Sequence, residues 1–140
     1  MESIDAGTTD TVRPATEQLM TAWTEMDIRN LADANSLKLT AGPDLRKVVE
    51  IGMVVVDHDL YVRAFRGPSS AWFRAAVTAT SGTVAVHGIR RSVTFRAVNG
   101  ELVDGIDDRI DHAFRAKYGD AAPLVADRRA RAATLRIAPA

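Results

Sequence analysis

The sequence predicts a mainly β chain with helices, built as a six-stranded antiparallel barrel in one domain. Three observations predict it. Six short runs alternate apolar and polar residues or read as valine-rich strands, and tight turns join most of them. Helical patterns interrupt these runs without separating every pair, as a parallel α/β sheet would require. A length of 140 residues suffices for one domain with a true core and falls short of two of ordinary size.

Residues 1–14, MESIDAGTTDTVRP, are small and polar without periodicity, so a disordered tail is expected ahead of a single domain over 15–140. From Thr16 to Asn35, apolar positions such as Leu19, Met20, Trp23, Ile28 and Leu31 recur near helical spacing. Thr24 and Asp27 have the pattern of a capping box that opens a helix. Ser36–Thr40 is a short alternating strand closed by the turn AGPD. Val48–Val56, VVEIGMVVV, reads as one strand covered on both faces. Asp57, His58 and Asp59 turn it back into LYVRAF, a hairpin. A helix starts near Ser70, and GTVAVHGIRRSVTFRAV then holds two strands folded about Gly88. Glu101–Tyr118 carries the clearest helical pattern, with Val103, Ile106, Ile110, Ala113 and Phe114 on one face, acids early, Arg115 and Lys117 late, and Gly119 as the stop. Pro123–Ala130 reads as a short helix and ATLRIAP as the closing strand. A barrel this small has more apolar surface than one copy covers, so a homodimer is expected.

Composition excludes several classes of function. Lysine plus arginine equal aspartate plus glutamate at 18 each, so no overall field favours nucleic acid or anionic membrane, and neither is expected as a partner. The absence of cysteine removes disulfides, thiolate metal sites and cysteine nucleophiles. No apolar run approaches the roughly 20 residues of a membrane span, and the start of the chain lacks a secretion pattern, which fits a cytoplasmic protein. His58, His87 and His112 have no metal-ligand spacing, and no metal is expected. Asp104, Asp107, Asp108 and Asp111 trace one helical stripe that reads as a solvated face.

The most unusual stretch is LYVRAFRGPSSAWFRAAV, residues 60–77. In an extended strand Tyr61, Arg63 and Phe65 share one face while Leu60, Val62, Ala64 and Arg66 share the other. Arg63 between two rings reads as a stacked guanidinium with a wet head. Arg66 precedes Gly67 and a helix start that Ser69 or Ser70 can cap, which makes either a cradle for phosphate or carboxylate or an ordinary capped helix with a surface ion pair. Trp72 stands in line with Ala75, Ala76 and Ala79, in the core or against a flat ligand ring. In a single strand over 48–56, Val48, Glu50, Gly52, Val54 and Val56 point the same way. That places a carboxylate beside a gap on an apolar face, either as a proton-transfer group with a raised pKa or as the partner of Arg63, Arg66 or Lys47.

These segments, with VTFRAV, IDHAFRAKYG and RAATLRIAP, resemble a bacterial family of unknown function in the FMN-binding split-barrel superfamily, over about Trp23 to Pro139. The resemblance implies a six-stranded split barrel and a homodimer with cofactor sites between subunits, as in FMN oxidases and deazaflavin-dependent nitroreductases. Arg66, Gly67, Trp72 and Phe73 match the run in which the nitroreductases set a basic residue on cofactor phosphate. Ala64, Phe73, Phe114, Gly52 and Glu50 depart from a pattern of serine, two tyrosines, tryptophan and an apolar residue. On the matches, the resemblance implies a flavin- or deazaflavin-dependent oxidoreductase holding FMN or deazaflavin through Arg66, Gly67, Ser69 and Trp72. The departures imply instead a cofactor-independent isomerase or cyclase. Glu50 is then the acid or base, and a largely apolar metabolite occupies a barrel pocket lined by Gly52, Val54, Tyr61, Arg63, Ala64 and Phe73. A non-catalytic ligand binder would use the same pocket.

Overall fold

Two tight turns organise the sheet. Asp57 and His58 take φ of 51° and 70°, and His87 and Gly88 take 52° and 79°, so each pair forms a two-residue hairpin loop of the kind whose twist matches the flanking strands. The structure, a computed structural model, describes residues 22–43, 47–99, 105–120 and 127–140. The tail at 1–14, Leu19 and Met20, Asp44 of the AGPD turn, the beginning of the Glu101–Tyr118 helix with Asp104, and the first part of the Pro123–Ala130 helix lie outside the described residues.

In chain order the elements are α1 (Glu25–Asp33), β1 (Leu37–Ala41), β2 (Val48–Ile51), β3 (Val54–Val56), β4 (Asp59–Arg63), α2 (Ala71–Ala79), β5 (Ser81–Val86), β6 (Ile89–Ala97), α3 (Ile106–Tyr118), α4 (Arg128–Ala132) and β7 (Thr134–Pro139). The capping box forms: the Asp27 amide donates to Thr24 Oγ1 and the Thr24 amide to Asp27 Oδ2, each at 3.1 Å.

Among the described residues all strand neighbours are antiparallel, in the order β2-β1-β5-β6-β7-β4-β3. Seven strands replace the expected six because Val48–Val56 is not one strand. It divides at Gly52 and Met53, and its halves form opposite edges of the sheet. Three Cα steps from Ile51 to Val54 reach at most about 11 Å, so the two edges must come together there and the sheet must curl into a half-barrel.

The end of α3 holds that crossing. The Met53 amide donates to the Tyr118 hydroxyl at 2.9 Å, and the hydroxyl lies 2.8 Å from the Asn35 carbonyl, to which it donates. Lys117 Nζ donates to the Met53 carbonyl at 2.9 Å and to the Leu31 carbonyl at 3.1 Å. The amide and carbonyl of Met53, at the break between the strands, are thus satisfied by two side chains. A side chain at residue 52 would crowd this anchor, because a Cβ there would lie 3.0 Å from Tyr118 Oη and 3.1 Å from Cζ. The expectation that a group lies close over Gly52 holds, and the group is Tyr118.

Strand alternation gives two cores. Leu60, Val62 and Ala64 point inward with Leu37, Leu39, Met53, Leu135 and Ile137, closed by α2 through Phe73 and Ala76 and by Trp23, whose Nε1 donates to the Ile137 carbonyl at 2.9 Å. Each such large side chain contributes roughly 1.5–3 kcal/mol on burial. Tyr61 and Val54 point outward and pack with Ile106, Ile110 and Phe114 of α3. No described helix is long and apolar enough to cross a membrane.

Candidate functional site

Beyond Arg63 the chain leaves the sheet in two consecutive turns, with the Gly67 amide donating to the Ala64 carbonyl at 2.9 Å and the Ser70 amide to the Gly67 carbonyl at 3.0 Å. LYVRAF is therefore strand only through Arg63, and Phe65 and Arg66 stand in the turn. Gly67 takes φ of +91° and is buried, and a Cβ on it would lie 3.1 Å from Cβ of Arg129. Glycine thus lets α4 pack against the turn that leads into α2. Ser70 occupies the N-cap position of the nine-residue α2 but gives no side-chain cap hydrogen bond, and the first turn holds no acid. Its leading amides keep their partial positive charge. Arg66 is exposed, with its guanidinium carbon 5.5 Å from the centre of the exposed Phe65 ring, and neither Arg66 nor Arg129 forms an ion pair with a described residue. Ser69 is exposed beside them. Arg66, Gly67 and Ser69 therefore gather at one helix start. Trp72 is half-buried, packed on the barrel core and edge-on to Phe73 at 6.1 Å between ring centres.

The residues expected to line one barrel pocket are divided between the two cores and the crossing. Ala64 and Phe73 are inside the barrel core. Val54 and Tyr61 lie under α3 on the other face, where burial pushes the Tyr61 phenol up. Gly52 sits at the crossing, its space taken by Tyr118. Glu50 is exposed on edge strand β2, where the Ser36 hydroxyl donates to Oε2 at 2.6 Å. It faces outward opposite Lys38, into an open groove of about 370 Å³ shared with Asn35 and His87. The expected desolvated carboxylate beside Gly52 is thus corrected, because the division of the strand breaks the alternation that put them together. Ion pairing with Arg63, Arg66 or Lys47 does not occur either.

Arg63 also departs from expectation. Its head is buried rather than wet: Nε donates to Thr134 Oγ1 at 3.0 Å, one terminal nitrogen pairs with Asp111, and the other lies 3.2 Å from Asp107 Oδ1. Its ring neighbour is Phe114, at 5.9 Å. Asp111 bridges on to Arg131, whose Nε donates to it at 3.0 Å. The acidic stripe is accordingly not a solvated face throughout, since Asp111 is 2% exposed while Asp108 remains in solvent. Burial would raise the Asp111 pKa, but hydrogen bonds and charge from Arg131 and Arg63 outweigh it and hold the carboxyl below the usual range. This network anchors α3, and it is structural.

Sequence reasoning missed Arg129, Asp111, Lys117 and Tyr118. Only Gly67 and Gly52, glycines where a side chain would collide, signalled that something else comes close. Among the described residues no cluster of His, Asp or Glu is arranged to hold a metal ion.

Solved structures share this fold at low identity. A conserved hypothetical protein, Rv2991, from Mycobacterium tuberculosis superposes with a TM-score of 0.55 at 12% identity, over 86% of this chain and 82% of that one. An FAD and heme binding protein from Mycobacterium smegmatis gives 0.52 at 21%, over 86% and 68%. A domain-swapped dimer gives 0.52 at 18%, over 94% and 99%. No curated protein matches the chain. The sequence from residue 27 to 137 matches the family described as an uncharacterized protein conserved in bacteria, DUF2255, and the chain belongs to that bacterial family.

Proposed function

We propose that the protein is a flavin- or deazaflavin-dependent oxidoreductase that binds the phosphate of FMN or of a deazaflavin at the start of α2. One observation carries this reading: Arg129 packs against Gly67, the residue after Arg66, ahead of a helix start that has neither a side-chain cap nor an acid. Two guanidiniums that form no ion pair with a described residue, next to the leading amides of a helix, suit a dianionic phosphate. The donor set fits the group. Arg66 and Arg129 neutralise charge, Ser69 supplies a hydroxyl, and Trp72 borders the place where a flat ring would lie. Bound there, the cofactor supplies hydride chemistry, and the chain's own residues bind and orient it. The fold shared with a mycobacterial protein described as binding FAD and heme supports a flavin at this scaffold.

The interior is filled by apolar side chains, so the ring has to lie outside the barrel and needs a second wall. A homodimer supplies it. Phe65, half exposed beside the cradle, is the apolar surface such a partner would cover, and a domain-swapped dimer of the same fold supports the association. The cofactor-free isomerase or cyclase, with Glu50 as acid or base, has less support, because Glu50 stands on an exposed edge and accepts from Ser36.

Titration of purified protein with FMN and with a deazaflavin, followed by quenching of ligand fluorescence, tests the proposal. Saturable binding by one of them is expected, weakened about tenfold or more in Arg66→Ala and in Arg129→Ala. Equal affinity in wild type and both variants, or no binding at millimolar ligand, overturns it. Sedimentation showing only monomer at micromolar protein would remove the dimer.

A further inference from the structure

The strand register contains one pairing that sheet energetics disfavours. Arg96 on β6 stands directly opposite Arg136 on β7, and like charges facing each other across an antiparallel pair, with Cβ atoms roughly 5 Å apart, destabilise it. Alternation puts both on the outer face. Arg96 is exposed and forms no ion pair with a described residue, while Arg136 reaches Asp59 only at 3.8 Å. One cross-strand step away, Thr94 faces Ala138, so a hydroxyl and a small side chain border the pair. The two arginines line an open groove of about 540 Å³ with Thr80, Thr94, Ala97 and Ala138, and no described carboxylate lines it. A repulsive pair retained over a groove with hydroxyls and apolar walls is a feature that local stability does not explain.

We propose that this groove is a binding site for a small organic oxyanion, a carboxylate or phosphate ester, whose charged group bridges Arg96 and Arg136. A single oxyanion between two guanidiniums converts their repulsion into two charge-assisted contacts. Thr94 offers a further hydrogen bond, and Val77, Ala97 and Ala138 receive an apolar body. The site is separate from the cradle proposed above. It borders Val77 and Thr80 at the C-terminal end of α2, whereas Arg66 stands at the other end, roughly 13 Å of helix away.

The inference does not depend on cofactor binding, and the experiment keeps the two apart. In an Arg66→Ala/Arg129→Ala background, melting is followed in low-salt buffer during titration with inorganic phosphate and, separately, with benzoate. A saturable rise in Tm is expected with at least one of them, and the one that acts distinguishes a phosphate from a carboxylate site. Arg96→Gln and Arg136→Gln should each weaken that response about tenfold or more. Arg96→Gln should also melt at or above the parent without anion, because the repulsion is gone. No response to either anion, or a response unchanged by both substitutions, overturns the proposal. So does a lowered Tm of Arg96→Gln without anion joined to an unchanged titration, which makes Arg96 a partner of the α2 C-terminal carbonyls instead.

Discussion

Replacing Asp111 by alanine tests what holds α3 to the sheet. Asp111 is 2% exposed and stands between Arg63, whose side chain is wholly buried, and Arg131. Its removal leaves Arg63 with the Asp107 oxygen at 3.2 Å and the Thr134 hydroxyl at 3.0 Å, but without its most buried counter-charge. Breaking a buried pair costs about 3–5 kcal/mol, and the surviving Asp107 contact sets the expectation at the lower end, about 3 kcal/mol. For a chain of this size that is a fall in Tm of roughly 10–15 °C. Urea unfolding with an unchanged m-value would confirm a loss of stability rather than of two-state behaviour. The pH profile supplies a second readout. The folded Asp111 pKa is depressed, so its contribution is complete above the unfolded value of about 3.9 and is lost as pH falls through the lower, folded value. The wild type should therefore lose part of its advantage over Asp111→Ala on acidification below about pH 4. A cost under about 1 kcal/mol, with parallel acid profiles, would refute the view that this carboxylate neutralises a buried arginine.

Three further outcomes are expected. Gly82→Ala should be far more damaging than Gly52→Ala, because its Cβ would fall on the Thr40 carbonyl oxygen and the Phe95 ring, neither of which can move aside; soluble yield and urea midpoint compare them. Gly52→Ala should cost about 1–3 kcal/mol and should be non-additive with Tyr118→Phe, since one change crowds the hydroxyl that the other removes. Burial pulls the Lys117 pKa down, so the unfolded chain binds more protons and stability rises with pH toward the unfolded value of about 10.4. Burial pushes Tyr61 and Tyr118 up, which slopes the other way in the same range. The difference between wild type and Lys117→Met is therefore the quantity to read.

Local signals carried the parts of the fold that local chemistry decides. Thr24 with Asp27, the Asp57–His58 and His87–Gly88 turns, and the end of α3 at Gly119 were legible because each depends on neighbours within a few residues. The division of Val48–Val56 was not. Both halves are apolar and β-prone, and what separates them is the insertion of Tyr118, distant in sequence. Arg63 and Asp111 misled for a related reason: composition marks them as solvent-seeking, yet each is buried by the other, and pairing across elements leaves no trace in periodicity. At the α2 start the sequence showed Arg66 and Gly67, while Arg129 entered only because a glycine lets α4 approach.

The two-residue crossing also ties the fate of two distant segments. The Met53 amide hydrogen is held by a tyrosine hydroxyl rather than by a neighbouring strand, so its exchange with solvent waits on the release of α3 and not on fraying of a sheet edge. That helix is fastened about two turns earlier by Asp111 in its buried arginine network. What looks like the most open point of the sheet thereby borrows the opening free energy of a docked helix. The seam and α3 should therefore open together as one cooperative unit.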